Sequence, residues 1–515
     1  MDFALEATIE LSKPIDFLTQ TFPSLIAKIN SELFRKGVPK EQEGSRIVNW
    51  KIAGTKLFLR IEGTTYLRPH DALLRLRNFL AEKLGKEQGI GIRSLFVKEY
   101  EIRFKPKKMP KQMVEVKVPW VKEITQKDNK LLVKLQNLDS TALEDRYVER
   151  ILRRIEEKIS AQYVKGKAET REVVKKSRPK IKKYKFKEDI TEELIKKGWI
   201  KKFTTAGIWH FLPPMTALIR AIEQIIIERI VKPMGFQEIL LPRLISLETQ
   251  MKKGQLAIPN DLFWVCPPIS KNVEEFEDFI DYVEVTQTIP KDLITKKLDL
   301  PIGALSYAQC EGFYQIFEKE IVDLDKLPLK FFDRFGPTWR YEAGGLKGLE
   351  RLNEFYRIEL VYIGSPEQVV KIRDEVKDRT LEIVDKIFDL EWRIDKVIPV
   401  YLEHAGKVEE EKEELVKTYD LTIILPFKTL SKGEKELEIA SFHVHKDFYA
   451  ERFNFKDKSD RIVWTGCCGL GPTRFAYVFL LRHGLNFEEW PKEVKEAIKN
   501  LYGKFPESLK LVSWP

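Results

Sequence analysis

The chain has 515 residues, 33% of them charged and 43% hydrophobic, with six histidines, four cysteines and a formal net charge of +10. That length supports a large core and two or three domains, and Cys266, Cys310, Cys467 and Cys468 are far too few for a secreted disulfide framework. With no run of eighteen apolar residues and no signal-peptide pattern after Met1, a cytoplasmic protein without membrane association is expected. The charge is unevenly spread. Residues 1–187 hold 42 Lys+Arg against 24 Asp+Glu, whereas the remainder holds 47 against 55. A basic front on a mildly acidic rear implies that the front binds a polyanion. A lysine-rich, heat-adapted surface is the simpler alternative, but the rear half shares that composition without the basic excess.

Residues 1–164 read as an α+β domain. ALEATIELS alternates as a half-buried strand does, and residues 15–35 set Phe17, Leu18, Phe22, Leu25, Ile26, Ile29 and Leu33 at helical spacing. IVNWKIAGTKLFLRIEG gives two strands about a glycine turn, and DALLRLRNFLAEKLG gives an amphipathic helix from Asp71 to a stop at Gly85. KEYEIRFKPK and MVEVKVPWVKEITQKDNKLLVKLQN supply further strands, and TALEDRYVERILRRIEEKISAQY closes the domain as a helix. Residues 165–187 carry eleven basic and two acidic residues without an apolar period. They read as a basic linker, either touching phosphates or simply solvated.

Residues 188–515 form the second domain. In LPPMTALIRAIEQIIIERIVKPMGFQEILLPRLI, Pro213 and Pro214 start a helix that is apolar on more than one face, hence buried, and Gly235 leads into a strand ending at Pro242. Residues 331–364, FFDRFGPTWRYEAGGLKGLERLNEFYRIELVYIG, read as strand, hairpin loop and strand, with Gly344, Gly345 and Gly348 loosening the turn. Arg340 and Glu342 share a face by the period of two, as do Arg351, Phe355, Arg357 and Glu359 on the return strand. Such a set suits a nucleotide: arginine for phosphate, ring for base, carboxylate for an exocyclic amine. A charged hairpin facing water is the plainer reading. Pro366–Leu390 and EHAGKVEEEKEELVKTY read as scaffold helices, and in WTGCCGLGPTRF Arg474 follows a glycine-rich strand-to-helix turn.

These three stretches resemble, in order, motifs 1, 2 and 3 of the class II aminoacyl-tRNA synthetases: a long helix into a strand, Arg-x-Glu followed by Arg-x-x-x-Phe, and a glycine-rich turn before an arginine. The resemblance implies an α+β fold with a class II antiparallel sheet flanked by helices, and a separate basic α+β domain that binds tRNA. It also implies a homodimer built on motif 1, although packing within one subunit would explain the same apolarity. ATP would lie bent over the sheet. Arg340 would take the α-phosphate, Glu342 and the 344–350 loop would read adenine, and Phe355 would stack on its ring. Arg474 would cover the other face and reach the γ-phosphate, with Arg351 at the triphosphate tail. Glu438, with Ser441 beside it, resembles the family's magnesium-binding acid. Arg340, Arg474 and Glu438 are thus the catalytic candidates, acting by positioning and charge neutralisation.

Cys310 lies where many class II enzymes carry a Thr-x-Glu or Asn-Cys-Pro loop. With Glu359 at the end of motif 2 and a cysteine before motif 3, the set resembles that of the methanogenic-type, zinc-dependent seryl-tRNA synthetases, and the resemblance covers the whole chain. It implies one zinc per subunit on Cys310, Glu359 and Cys467, with the fourth position open to the serine amine. L-serine would be activated with ATP and passed to the 3′ end of tRNA(Ser). In an extended segment Cys467 shares a face with Thr465 and Gly469, and Cys468 with Trp464 and Leu470, so Cys467 is assigned to the site and Cys468 to packing. His443 and His445 form an alternative metal pair, and buried structural cysteines are the reading without a family. Two other activities share the catalytic fold. A threonyl-type zinc enzyme uses Cys-His-His, but no histidine adjoins Cys467 or occupies position 359. An amino acid:carrier protein ligase lacks the basic front.

Overall fold

The computed structural model describes residues 1–163, 171–342, 345–397, 418–429 and 434–509. They divide into two units, the boundary falling inside the stretch expected as a linker. The second scaffold helix expected between motifs 2 and 3, EHAGKVEEEKEELVKTY, lies outside the described residues except for its end, where Thr418 and Tyr419 open a strand.

In the first unit, β1 (Asp2–Leu11), β2 (Arg46–Ala53), β3 (Lys56–Gly63), β4 (Ile92–Phe104), β5 (Val121–Lys127) and β6 (Lys130–Asp139) pair in the order β2-β3-β1-β4-β6-β5, antiparallel throughout. Period-two alternation along β1 buries Phe3, Leu5, Ala7, Ile9 and Leu11. Helices α1 (Phe22–Lys28), α2 (Pro69–Gln88) and α3 (Tyr147–Ala161) supply apolar faces to the same core. The helix expected over residues 15–35 is shorter than its apolar spacing suggested: Phe17 is exposed, and α1 begins at Phe22. Helix α2 runs past Gly85 to Gln88, because Gly89 at φ 63° provides the left-handed cap. Buried His70 joins three elements, its Nδ1 meeting the Tyr100 hydroxyl at 2.8 Å and its Nε2 the Glu149 carboxylate at 3.0 Å.

The second unit is built on an eight-stranded sheet. Its strands are β7 (Arg171–Lys176), β8 (Gln237–Glu238), β9 (Leu329–Asp333), β10 (Ile358–Gly364), β11 (Trp392–Val397), β12 (Thr418–Ile424), β13 (Glu436–Lys446) and β14 (Trp464–Leu470). Their order is β8-β9-β10-β14-β13-β12-β11-β7, and only β8 and β9 are parallel. Strand β7 corrects the linker expectation. From Arg171 the chain is an edge strand on β11, and Lys180 pairs with Asp385 (2.8 Å) and Asp389 (3.2 Å) of this unit. An edge strand is held by backbone hydrogen bonds on one side, so it shows no apolar period.

Helix α4 (Pro213–Ile226) carries Met215, Leu218, Ile222 and Ile226 into the core beneath the sheet, so packing inside the subunit accounts for its apolarity. Beyond it, Leu240, Leu244 and Phe335 are among the exposed large apolar side chains. Helix α5 (Cys310–Gln315) is short and buried. Helix α6 (Pro366–Glu382) starts with a capping box between Ser365 and Gln368, and α7 (Pro472–His483) follows β14 directly. Among the described residues no helix is long and apolar enough to cross a membrane.

Two glycines separate crowding from conformational freedom. A Cβ at Gly466 would sit 2.3 Å from the Tyr362 ring and 2.8 Å from the His443 carbonyl oxygen, whereas one at helical Gly85 would meet nothing within 4 Å. Gly466→Ala should therefore cost on the order of 1–3 kcal/mol. Gly85→Ala should gain about 0.5–1 kcal/mol by favouring the helix. Thermal unfolding of the two variants beside the parent chain checks both signs.

Candidate active site

Strands β10, β14 and β13 are neighbours, and their register fixes which side chains share a face. Glu359 stands opposite Gly469, which stands opposite Ser441; Val361 opposes Cys467, which opposes His443. Glu359, Cys467, Ser441 and His443 therefore face one way, while Leu360, Cys468 and Phe442 face the apolar core. A bulge at Ile439, with Thr422 opposite Glu438 and Leu421 opposite Ala440, returns Glu438 to the face of Ser441. Gly469 keeps this face open, since a Cβ there would lie 3.2 Å from Arg357 Cδ and 3.3 Å from Glu359 Oε2 and would press on both side chains. The alternation argument for Cys467 over Cys468 thus matches the register.

Helix α5 brings Cys310 to that face. One ligand atom each from Cys310, Glu359 and Cys467 lies within 4.8 Å of the others, and all three residues are buried. Hydrogen bonding with Cys310, then burial, then the charge of Glu359 hold the Cys467 thiol far above its ordinary range. Removing its proton would crowd negative charge that the Arg357 guanidinium, 3.4 Å from Glu359, only partly offsets. Two sulfurs and a carboxylate at this spacing fit a tetrahedral divalent cation, whose sulfur ligands stand about 3.8 Å apart, with a fourth position left over.

The histidine pair stands beside this trio and outside it. The Tyr314 hydroxyl donates to the Gly466 carbonyl at 2.9 Å, so at 3.1 Å it accepts from His445 Nδ1–H. That leaves His445 Nε2 as an acceptor 3.6 Å from Cys467 Sγ. Burial pushes His445 well below the usual histidine range and His443 down to about 4, so both are neutral at pH 7.

The hairpin is more broken than the expected pair of long strands. Pro337–Trp339 pairs with Glu354–Tyr356 as a small separate ladder, distinct from β9 and β10. Phe355 lies on its return strand, whereas Arg351 stands at the foot of the loop. The period-two face survives from Phe355 to Glu359 as contacts, with the Arg357 guanidinium 5.2 Å from the Phe355 ring centre and beside Glu359. Arg351 instead pairs with Glu342, which also holds Arg340 at 3.3 Å. Gly344 lies outside the described residues. Arg474 on α7 donates to the Glu438 carbonyl at 2.8 Å, and burial pushes its guanidinium down against the fields of Glu438 and Glu342. Arg340, Arg357, Arg474, Glu342 and Glu438 act on one another electrostatically, so motifs distant in sequence form one charged cluster.

Several residues of the site carried no readable signal. Asp261 pairs with Arg340 at 3.1 Å, and Lys253 pairs with buried Glu311 at 2.7 Å, one residue past Cys310. Tyr307 lies beside both cations. Lys253 is one of two adjacent lysines and Asp261 one of many surface-type acids, so neither shows a spacing that would single it out.

The family described as a tRNA-binding domain matches residues 1–157, and that described as the tRNA synthetase class II core domain (G, H, P, S and T) matches residues 303–483. The chain is 34% identical over 532 residues to the type-2 serine–tRNA ligase of Methanopyrus kandleri, covering 100% of this chain and 99% of that one. It is 36% identical over 530 residues to the type-2 serine–tRNA ligase of Methanocaldococcus jannaschii, with the same coverage. Among solved structures it is similar to M. kandleri SerRS in its complex with A. aeolicus tRNASec, with a TM-score of 0.81 and 33% identity over 100% of this chain and 99% of that chain.

Cobalt(II), whose sulfur-to-metal absorption reports thiolate ligation, tests the trio directly. The parent chain and Cys468→Ala should show that band, with Cys468→Ala losing on the order of 1 kcal/mol of packing at most. Cys467→Ala should lose it. Affinity should weaken as pH is lowered and strengthen as it is raised, because the high-lying Cys467 proton must leave before the sulfur can ligate.

Proposed function

The chain belongs to the type-2 serine–tRNA ligases, class II aminoacyl-tRNA synthetases, and from that premise we propose how its residues divide the work. The observation that supports the division best is the buried trio Cys310, Glu359 and Cys467 set beside the cluster of Arg340, Arg357 and Arg474. One subsite suits an amino acid held through its amine. The other suits a triphosphate.

Cys310, Glu359 and Cys467 hold one zinc per subunit, which when bound supplies a Lewis-acid position for the serine amine. Glu438 and Ser441, on one face of β13, hold the magnesium that accompanies ATP. Arg340 binds the α-phosphate, Phe355 stacks on adenine, and Glu342 with the 344–350 loop reads its edge. Arg351 meets the triphosphate tail, while Arg474 covers the second face of the base and reaches the γ-phosphate. Because Glu342 holds both Arg340 and Arg351, ATP binding exchanges carboxylate partners for phosphate partners. A serine carboxylate oxygen attacks the α-phosphorus, the bond to the bridging oxygen breaks, and pyrophosphate leaves. The terminal ribose hydroxyl of tRNA(Ser) then attacks the acyl carbon, and AMP leaves. Both steps rest on positioning and charge neutralisation rather than on a side-chain base.

Residues 1–157, with their basic excess, bind tRNA phosphates. That front also sets the chain apart from carrier-protein ligases. Exposed Leu240 and Leu244 after β8, with Phe335 after β9, support a homodimer that buries these segments rather than the motif 1 helix; the enzyme acts in the cytoplasm.

ATP–pyrophosphate exchange with serine, threonine, alanine and cysteine tests the assignment. Serine alone should support exchange, and Arg340→Ala should lower kcat/KM on the order of 10²–10³-fold, as loss of a preorganised charge does. Threonine-dependent exchange, or an Arg340→Ala enzyme near parental activity, would contradict it.

A further inference from the structure

Arg340 lies just past the short strand Pro337–Trp339, and the residues before and after it are held by segments with no part in the reaction so far. Trp339 N–H donates to the Ser306 carbonyl at 2.9 Å, and Tyr341 N–H donates to the Asp261 carbonyl at 2.9 Å. Tyr307 therefore follows directly on the residue bonded beside Arg340. Its ring centre is 5.5 Å from the Arg340 guanidinium carbon and 5.3 Å from the Lys253 ammonium nitrogen. Both cations fall within the distance at which the negative face of an aromatic ring attracts them.

Lys253 is itself fixed. Its ammonium donates to Glu311 at 2.7 Å, and the other oxygen of Glu311 accepts from Tyr307 N–H at 3.1 Å and from the Gln250 amide at 3.3 Å. Glu311 adjoins Cys310 on α5. Tyr307 thus touches the phosphate-site arginine and, through Glu311, the helix that delivers a trio cysteine.

The partners of Arg340 differ in what they use. Asp261 at 3.1 Å and Glu342 at 3.3 Å are ion-pair partners of its guanidinium nitrogens, the same atoms a phosphate needs, although Nε donates no hydrogen bond. An aromatic ring attracts the guanidinium through its π face and takes none of those donors. When a phosphate displaces the carboxylates, the ring contact can remain. We propose that Tyr307 is a positioning residue for the activation step: its ring holds Arg340 on the α-phosphate while its backbone, tied to Glu311, keeps that arginine in register with Cys310. This rests on the reading of Arg340 as the α-phosphate ligand.

The test uses full-length Tyr307→Phe and Tyr307→Leu beside the parent chain, measuring zinc content and serine-dependent ATP–pyrophosphate exchange. Loss of this half-exposed cation–ring contact in Tyr307→Leu should lower kcat on the order of threefold to tenfold. The KM values for ATP and serine should stay within about threefold and zinc content should be unchanged, since Arg340 gains most as charge develops at phosphorus. Tyr307→Phe, which keeps the ring, should restore most of the parental kcat. Parental activity in Tyr307→Leu overturns the proposal, and so does loss of zinc together with activity. A Tyr307→Phe enzyme as slow as Tyr307→Leu also overturns it, because the hydroxyl would then be the acting group. Absence of serine-dependent exchange in the parent chain would instead defeat the underlying assignment.

Discussion

Three groups that can each carry a negative charge, Cys310, Glu359 and Cys467, are packed within 4.8 Å of one another and away from water. No arrangement of protein alone makes that comfortable. Either a thiol stays protonated, which is how Cys467 stands, or a cation joins the group. The surrounding structure is consistent with the second state. Gly469 opens the space into which Glu359 and Arg357 reach, and the strand register sends the partner cysteine, Cys468, into the apolar core. Tyr314 and His445 close the far side with a directed chain of hydrogen bonds, which orients the groups around Cys467.

The arginine cluster proposed for the triphosphate meets the same constraint with opposite sign. Arginines 340, 357 and 474 would repel one another if unpartnered, and each is matched. Arg340 lies between Asp261 and Glu342, Arg357 between Phe355 and Glu359, and Arg474 on the Glu438 carbonyl. Arg357 pairs with Glu359 and acts on Arg474, so the two proposed subsites share one electrostatic network. Preorganised charge of this kind needs no reorganisation at the moment of reaction, which suits a displacement at phosphorus with little proton transfer.

The sequence was most legible where one local period decides the outcome. Alternation along WTGCCGLG separated Cys467 from Cys468, and alternation along β1 placed its core residues. It was least legible where long-range pairing or backbone hydrogen bonding decides. The basic stretch after Arg171 became edge strand β7 because β11 offered a free backbone edge, a partner more than two hundred residues away. The return strand of motif 2 divides at Arg357 because its first half pairs locally and its second joins the sheet, which a uniform period of two cannot reveal. Helix α2 passed Gly85 because the left-handed cap lies at Gly89. Asp261, Lys253 and Tyr307 reach the site only through tertiary contacts, and a single sequence shows no spacing that joins them to Arg340.

The central claim is that a three-ligand zinc site binds the substrate amine. X-ray absorption at the zinc edge of the purified full-length protein tests it most directly. The account predicts two sulfur ligands at about 2.3 Å and two lighter ligands at about 2.0–2.1 Å, with the lighter shell changing when serine is added and the sulfur count constant. A closed shell of four protein ligands that ignores serine, or a shell with histidine in place of a thiolate, would contradict it.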